Sequence, residues 1–211
     1  VKFQEVRAYP RVIRHIAYFF AVLNQAFRAD IVSALDPVST GLPAWFAAMC
    51  AQKPFFVRIA GDYAWEQGTQ RFGVTDTLDD FVQKDSYQFP VRFFKALQTF
   101  VARRARRVIV PSEYLKRMIS AWGVPDTHIQ VVYNAPPRFP DPRSLARPEG
   151  IAGPYITTVA RLVPWKGVSA LIEALAKVRE TGVNLHLVVV GDGPLEKKLK
   201  TRAHELGQRD H

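Results

Sequence analysis

The sequence predicts an α/β chain built on parallel sheets, and three observations carry that prediction. Short apolar runs rich in β-branched residues alternate with longer segments of helical periodicity along most of the 211 residues. Two of these runs, Tyr155 to Ala160 and Leu185 to Val190, flank a segment that places Val168, Leu171, Ile172, Leu175 and Val178 on one helical stripe. Both runs close on glycine-bearing turns, as expected at the carboxyl ends of parallel strands. Runs this apolar suit strands buried on both faces, joined by a right-handed crossover.

The remaining elements follow in order. Arg11 to Phe27 repeats apolar residues at three and four, through Ile16, Phe19, Phe20 and Leu23, and reads as a helix. Asp30 to Ala34 reads as a strand, Gly41 to Ala51 as an apolar helix, and Lys53 to Ala60 as the next strand, an alternation that predicts a doubly wound sheet. Gln67 to Gln88 is polar, with a short helical hint at Thr77 to Val82, and reads as a long loop of the lid or binding kind. Phe89 to Arg107 is a strong helix that ends in Arg103, Arg104, Arg106 and Arg107. Those arginines suit the negative end of the helix dipole, and a basic amphipathic helix also suits anionic lipid headgroups. Val108 to Val110 is a strand, Ser112 caps a helix over Glu113 to Trp122, and His128 to Tyr133 is a further strand. Proline-rich residues 136–150 have the composition of a linker. Residues 1–135 therefore form one domain and 151–211 a second, which ends in a helix over Leu195 to Leu206.

Composition narrows the function classes. Net charge is +10, with 17 basic and 11 acidic residues up to Asn134 and 12 basic and 8 acidic after it. That balance favours anionic partners: nucleotides, nucleic acid or acidic lipid. A nucleic-acid binder has only the charge in its favour, because no basic-aromatic module is present. No run approaches the roughly 18 apolar residues of a membrane span. The single Cys50 forms no internal disulfide, suits a reducing cytoplasm, and reads as a core-packing residue. The five histidines lack metal-ligand spacing, and Asp76, Asp79 and Asp80 read as a solvated helical face.

Chemistry concentrates in two turns. Arg161 to Gly167 puts two cations, Arg161 and Lys166, at a strand's carboxyl end beside a helix N-terminus, where a diphosphate is the natural guest. Gly167 admits close backbone approach there. Gly191-Asp192-Gly193-Pro194 makes a similar turn after the second strand, with Pro194 suited to a first helical position. In the first domain, Gly61-Asp62-Tyr63-Ala64-Trp65-Glu66 follows the Lys53 to Ala60 strand. Asp62 and Glu66 are its polar candidates for substrate, while Tyr63 and Trp65 serve equally as packing residues.

The segments Ala160 to Gly167 and Val190 to Glu196, in this order and spacing, strongly resemble the donor-binding domain of retaining glycosyltransferases of family 4. Pro111-Ser112-Glu113, Trp122 to Pro125 and Tyr133-Asn134 resemble the end of that family's first domain. The resemblance is firm from about Val108 onward and looser before. It implies two Rossmann-like domains in the GT-B arrangement and transfer of a sugar from a nucleotide-sugar to a glycan, lipid-linked or small-molecule acceptor. It implies donor-diphosphate contacts for Arg161 and Lys166, with Gly167, Gly191, Asp192 and Gly193 forming the donor-site turns. Gly61, Tyr63 and Trp65 fall on the acceptor side, and Asp62 and Glu66 become the catalytic candidates. The His-Gly pair usual in that family's first-domain turn is Ala60-Gly61 here, so its histidine is missing. No metal or other cofactor is implied, since fixed cations and helix N-termini stabilise the leaving diphosphate. The enzyme is expected in the cytoplasm, with peripheral contact at the inner face of the membrane. The family's glycine-rich loop would precede Val1 and its paired glutamates would follow His211. Both domains are thus expected to be incomplete, and the chain alone inactive. A non-catalytic basic nucleotide- or nucleic-acid-binding protein is the alternative.

Overall fold

The structure is a computed structural model that describes residues 10–135, 150–151 and 153–208. It forms two compact units, Val1–Pro136 and Pro137–His211. The proline-rich segment, Gly150 apart, lies outside the described residues.

The first unit runs α1 (Arg11–Ala26), β1 (Val32–Ala34), α2 (Gly41–Cys50), β2 (Phe55–Arg58), α3 (Tyr63–Arg71), α4 (Leu78–Gln83), α5 (Phe89–Arg104), β3 (Arg107–Val110), α6 (Glu113–Ala121) and β4 (Ile129–Val131). The four strands are parallel, in the order β1-β2-β3-β4. This order runs one way, so no reversal point falls among the described strands. Right-handed crossovers then put the connecting helices on one face. Burial agrees: Phe55, Val57, Val108 and Val110 are buried, whereas Ser33 and Gln130 are exposed and Arg58 and Ile109 half-buried. Alanines 44, 47 and 48 of α2 bring that helix close to the sheet. The opposite stripe of α2, Phe46, Met49 and Cys50, faces outward. Cys50 is therefore exposed rather than in the core, because it sits four residues from Phe46 on the outer side of the helix.

The polar stretch read as a long loop holds the end of α3 and, at its helical hint, the whole of α4. Asp62 and Thr77 cap them, accepting from the Trp65 and Asp80 N–H groups at 2.9 and 3.3 Å. Small residues let α3 approach: Ala64 and Gly68 are its buried positions, and a Cβ on Gly68 would meet the Val74 side chain at 2.9 Å. Fully buried Phe81 anchors the segment beside Ala64, Val74 and Val91. Lys95 of α5 reaches back across it, donating to the Phe81 carbonyl at 3.2 Å and to the Lys84 carbonyl, with its ammonium 5.0 Å from the Phe81 ring. The Asp76 carboxylate accepts from Lys84 and from the Tyr87 hydroxyl, which burial and that bond push up to about 12. One apolar anchor and one lysine thus tie this segment to the domain.

Three of the four arginines near the end of α5 are turned into protein contacts. Arg103 donates to the Gly123 carbonyl at 3.0 Å, Arg107 to the Thr127 carbonyl, and the Arg104 guanidinium lies 4.1 Å from the Phe100 ring centroid. Arg103 and Arg107 reach the connection between α6 and β4, while Arg104 lies over a ring of its own helix.

The second unit is β5 (Tyr155–Val159), α7 (Val168–Glu180), β6 (His186–Val190) and α8 (Glu196–Glu205), with β5 and β6 parallel. Its core gathers Leu162, Val168, Ile172 and Leu199, with Leu187 packed against them. The expected burial of both strand faces is not found: Ile156 is 43% exposed, Val159 75% and Val190 47%. Two helices and two described strands cover only one side of such a pair. Val178, at the end of the expected stripe, is likewise exposed.

Because Phe81 is the apolar anchor of residues 72–88, Phe81→Ala should destabilise the first unit by about 3–5 kcal/mol, the usual cost of emptying a buried phenylalanine site. Urea unfolding measures the loss, and limited proteolysis should then cut within 72–88 in the variant only.

Candidate active site

Both turns of the second unit are built around Leu162. Leu162 and Val163 are 4% and 2% exposed, so the middle of the first turn is pinned in the core while Arg161, Pro164 and Lys166 stay in solvent. Pro164–Lys166 winds one 3-10 turn, and Gly167 at φ +68° leads into α7. No side chain caps α7 there, so its first-turn N–H groups point outward beside two cations. Arg161, Lys166 and Gly167 thus come together on one exposed turn.

The second turn clasps the first. The Leu162 N–H donates to the Asp192 carbonyl at 2.7 Å, and the Leu162 carbonyl accepts from the Leu195 N–H at 3.1 Å. Gly191 and Gly193 adopt φ of +144° and +154°, a region open essentially to glycine alone. A Cβ on Gly193 would stand 2.5 Å from the Leu162 carbonyl oxygen, and one on Gly191 would run into the Ala160 carbonyl. These glycines exist so that two loops can touch. Asp192 contributes its backbone carbonyl to the clasp while the residue as a whole stays exposed. Pro194 lies two residues ahead of α8, not at its first position.

In the first unit, the candidates after β2 divide into buried and half-open. Asp62 is 2% exposed. Its Oδ1 accepts from the Trp65 N–H and from Gln98 Nε2 at 3.0 Å, while Gln98 Oε1 accepts from the Ala64 N–H at 2.9 Å. Its Oδ2 is buried and accepts no hydrogen bond among the described residues. Burial pushes the Asp62 carboxyl up, against the opposing pull of the Trp65 N–H, Gln98 and the Lys95 charge. Tyr63 meets Phe94 edge to face at 5.5 Å, and Trp65 donates its indole N–H to the Asp76 carbonyl at 2.9 Å. Glu66 is half-buried and folds over Gly61, where a Cβ would lie 2.6 Å from its Oε1. Glu66 is therefore the acidic group that this turn holds nearer to solvent.

Residues 1–135 match the family described as glycosyl transferase 4-like domain, and residues 145–211 match glycosyl transferases group 1. The chain belongs to the glycosyltransferases with a glycosyl transferase 4-like domain. A mannosyltransferase of Mycolicibacterium smegmatis, described as GDP-mannose-dependent alpha-(1-6)-phosphatidylinositol monomannoside mannosyltransferase, is 34% identical over 123 residues, 54% of this chain and 29% of that one. Its namesake from Mycobacterium tuberculosis is 40% identical over 58 residues, 28% of this chain and 15% of that one. The structure of Anabaena HepE in complex with UDP and glucose aligns with a TM-score of 0.66 at 20% identity, covering 90% of this chain and 48% of that one. It shares the fold. The chain spans about half the length of that structural relative, and less than a third of the two mannosyltransferases.

Three further polar residues of this glycosyltransferase escape sequence reading. Gln98 stands where the stripe Val91, Phe94, Val101 and Ala105 calls for an apolar residue, and that break is the signal of a buried polar tie. Asp36, at the carboxyl end of β1, accepts from the N–H groups of Val38, Ser39 and Thr40 and so fills its own loop. Arg58 donates to the Asn134 side chain at 2.5 Å, joining the carboxyl ends of β2 and β4.

The raised Asp62 carboxyl fixes the sign of a pH effect. Its folded pKa lies above the ordinary 3.8, so its contribution to stability is complete below that value and is lost as pH rises through the folded pKa. Asp62→Asn keeps an oxygen for the Trp65 cap but removes the charge. Urea unfolding at pH 4, 5.5 and 7 should show the variant gaining on the natural protein as pH rises, and a constant difference would refute the buried-acid assignment.

Proposed function

We propose that this glycosyltransferase moves a sugar from a nucleoside-diphosphate sugar to a lipid-linked or glycan acceptor, with retention at the anomeric carbon. The observation that carries the reading is the exposed Arg161–Lys166 turn at the β5 carboxyl end, beside the uncapped N-terminus of α7. The mannosyltransferases are named for GDP-mannose and a phosphatidylinositol monomannoside, and HepE was solved with UDP and glucose. GDP-mannose and UDP share a diphosphate, and a diphosphate is what two cations and free helix N–H groups suit. As the bond from the anomeric carbon to the diphosphate oxygen breaks, that oxygen takes the electron pair and the cations stabilise its charge. The acceptor hydroxyl oxygen forms the new bond on the same face of the sugar, and its proton passes to the departing phosphate. Glu66, half-buried over Gly61, is assigned to acceptor contact, and Asp62 to holding the turn that carries it.

We assign the activity to the cytoplasm, at the inner face of the membrane where a lipid-linked acceptor is met. Among the described residues no helix is long and apolar enough to cross a membrane.

Lys166→Ala in the complete protein should weaken UDP or GDP binding, whichever binds, by about 1.5–3 kcal/mol, the scale of a hydrogen bond to a charged group. Calorimetry reads the change, and unchanged affinity removes Lys166 from the site. Proton NMR of the first-formed product reports the anomeric configuration, and an inverted product rejects the same-face step.

A further inference from the structure

The turn after β2 is held by a residue that no substrate reaches. Gln98 is 1% exposed, on the face of α5 that packs against α3, where Val91 and Phe94 precede it. Its carboxamide makes two bonds at once: Oε1 accepts from the Ala64 N–H at 2.9 Å, and Nε2 donates to Asp62 Oδ1 at 3.0 Å. Asp62 in turn caps Trp65, and the Asp62 carbonyl accepts from the Glu66 N–H at 3.0 Å. Three successive N–H groups at the start of α3, those of Ala64, Trp65 and Glu66, are therefore taken within the protein. The turn before α7 differs, because no side chain caps its first N–H groups. What the α3 turn offers a ligand is the side chains of Tyr63 and Glu66, not a cradle of N–H groups for an anion.

Apolar packing alone defines that presentation loosely. The buried positions of α3 are Ala64 and Gly68, so no large side chain keys the helix into α5. Contact between small apolar groups has no direction, whereas hydrogen bonds weaken steeply off axis. The amide plane of Gln98 fixes two such bonds together. A carboxylate in its place would only accept and an ammonium would only donate, so the neutral amide is the group that suits both partners. The charged groups about the tie are Asp62 itself, Lys95 one turn earlier on α5, and Glu66 one turn on in α3. From the 72–88 segment, Asp76 meets Trp65 through its carbonyl, and its carboxylate is occupied by Lys84 and Tyr87.

We propose that Gln98 is a positioning residue for the acceptor: by tying Ala64 and Asp62 to α5, it sets the angle at which α3 presents Glu66 and so governs acceptor affinity without touching the acceptor. This rests on the assignment of Glu66 to acceptor contact. The donor turns lie in the other unit and share no residue with the tie, so nucleotide binding is independent of it.

Gln98→Glu in the complete protein makes the tie switchable. While the introduced carboxyl keeps its proton, it donates to Asp62 and accepts from Ala64 as the amide does. Burial and the Asp62 charge hold that proton to a higher pH than usual, and its loss sets two carboxylates against each other and opens the tie. Carbon-13 NMR of the introduced carboxyl marks the loss, and circular dichroism shows the variant folded on both sides of it. The Glu66 carboxyl resonance, assigned with Glu66→Gln, should shift in step. The KM for octyl α-mannoside or octyl β-glucoside, used as acceptor probes, should rise about tenfold through the same transition, the scale of one hydrogen bond lost. Calorimetric affinity for UDP or GDP should stay level. Gln98→Met, without the tie at any pH, should sit where Gln98→Glu arrives after the transition. A Glu66 resonance that is the same with the tie and without it overturns the proposal. So does nucleotide affinity that falls in step, since the variant would then disturb the whole protein. A Glu66 resonance that moves while the acceptor KM stays level leaves the tie standing and sinks the assignment of Glu66 to the acceptor.

Discussion

Two hydrogen bonds to one residue hold the turns after β5 and β6 in place. Leu162 gives its N–H to Asp192 and receives the Leu195 N–H on its carbonyl, so the loops after β5 and β6 share a single backbone hinge point. Everything nearby follows from that contact. The loops approach too closely for a Cβ at Gly191 or Gly193, and the Leu162 side chain has to be buried for the backbone to sit at that depth. With Leu162 and Val163 inside, Arg161 and Lys166 are left outside, on either side of the buried pair. The cationic turn is thus a by-product of how the core anchors its own loop, which fixes the position of the charges without an ion pair among the described residues.

The first unit solves the same problem with a side chain. In its turn after β2, Gln98 of α5 supplies the tie, accepting from Ala64 and donating to Asp62. The cost is a carboxylate buried with one oxygen idle, offset by an N-cap and by a nearby lysine. Tyr63 and Glu66 follow as the outward residues of the same helical turn. A buried polar network of this kind specifies one arrangement of α3 against α5, where apolar packing alone would tolerate several.

Much of this was legible in the sequence, and the misses share a cause. The six described strands and seven of the eight described α-helices lie where periodicity and turn residues put them, to within a few residues, and the Ser112 cap is as expected. Helix α3 was invisible because its buried face is Ala64 and Gly68, which pack through being small and leave no apolar stripe. The pinned segment 72–88 looked like a loop because its ties are polar and come from Lys95, distant in sequence. Strand faces of the second unit stay open because a run of β-branched residues states only that burial is available, while the number of neighbouring elements decides how much occurs. Of the candidate site residues, Arg161, Lys166 and Gly167 stand together on one turn, and the depth of Asp62 came from a glutamine that no motif includes.

Net charge carried the least positional information, and the structure shows why. A formal +10 invites a search for basic patches. Yet the densest cluster, at the end of α5, spends Arg103 and Arg107 on backbone carbonyls and Arg104 on an aromatic face. Guanidinium groups bonded in this way close gaps between layers, and their charge is incidental to that use. The sign of a surface is informative where it is unopposed, and folding, not composition, determines where that is.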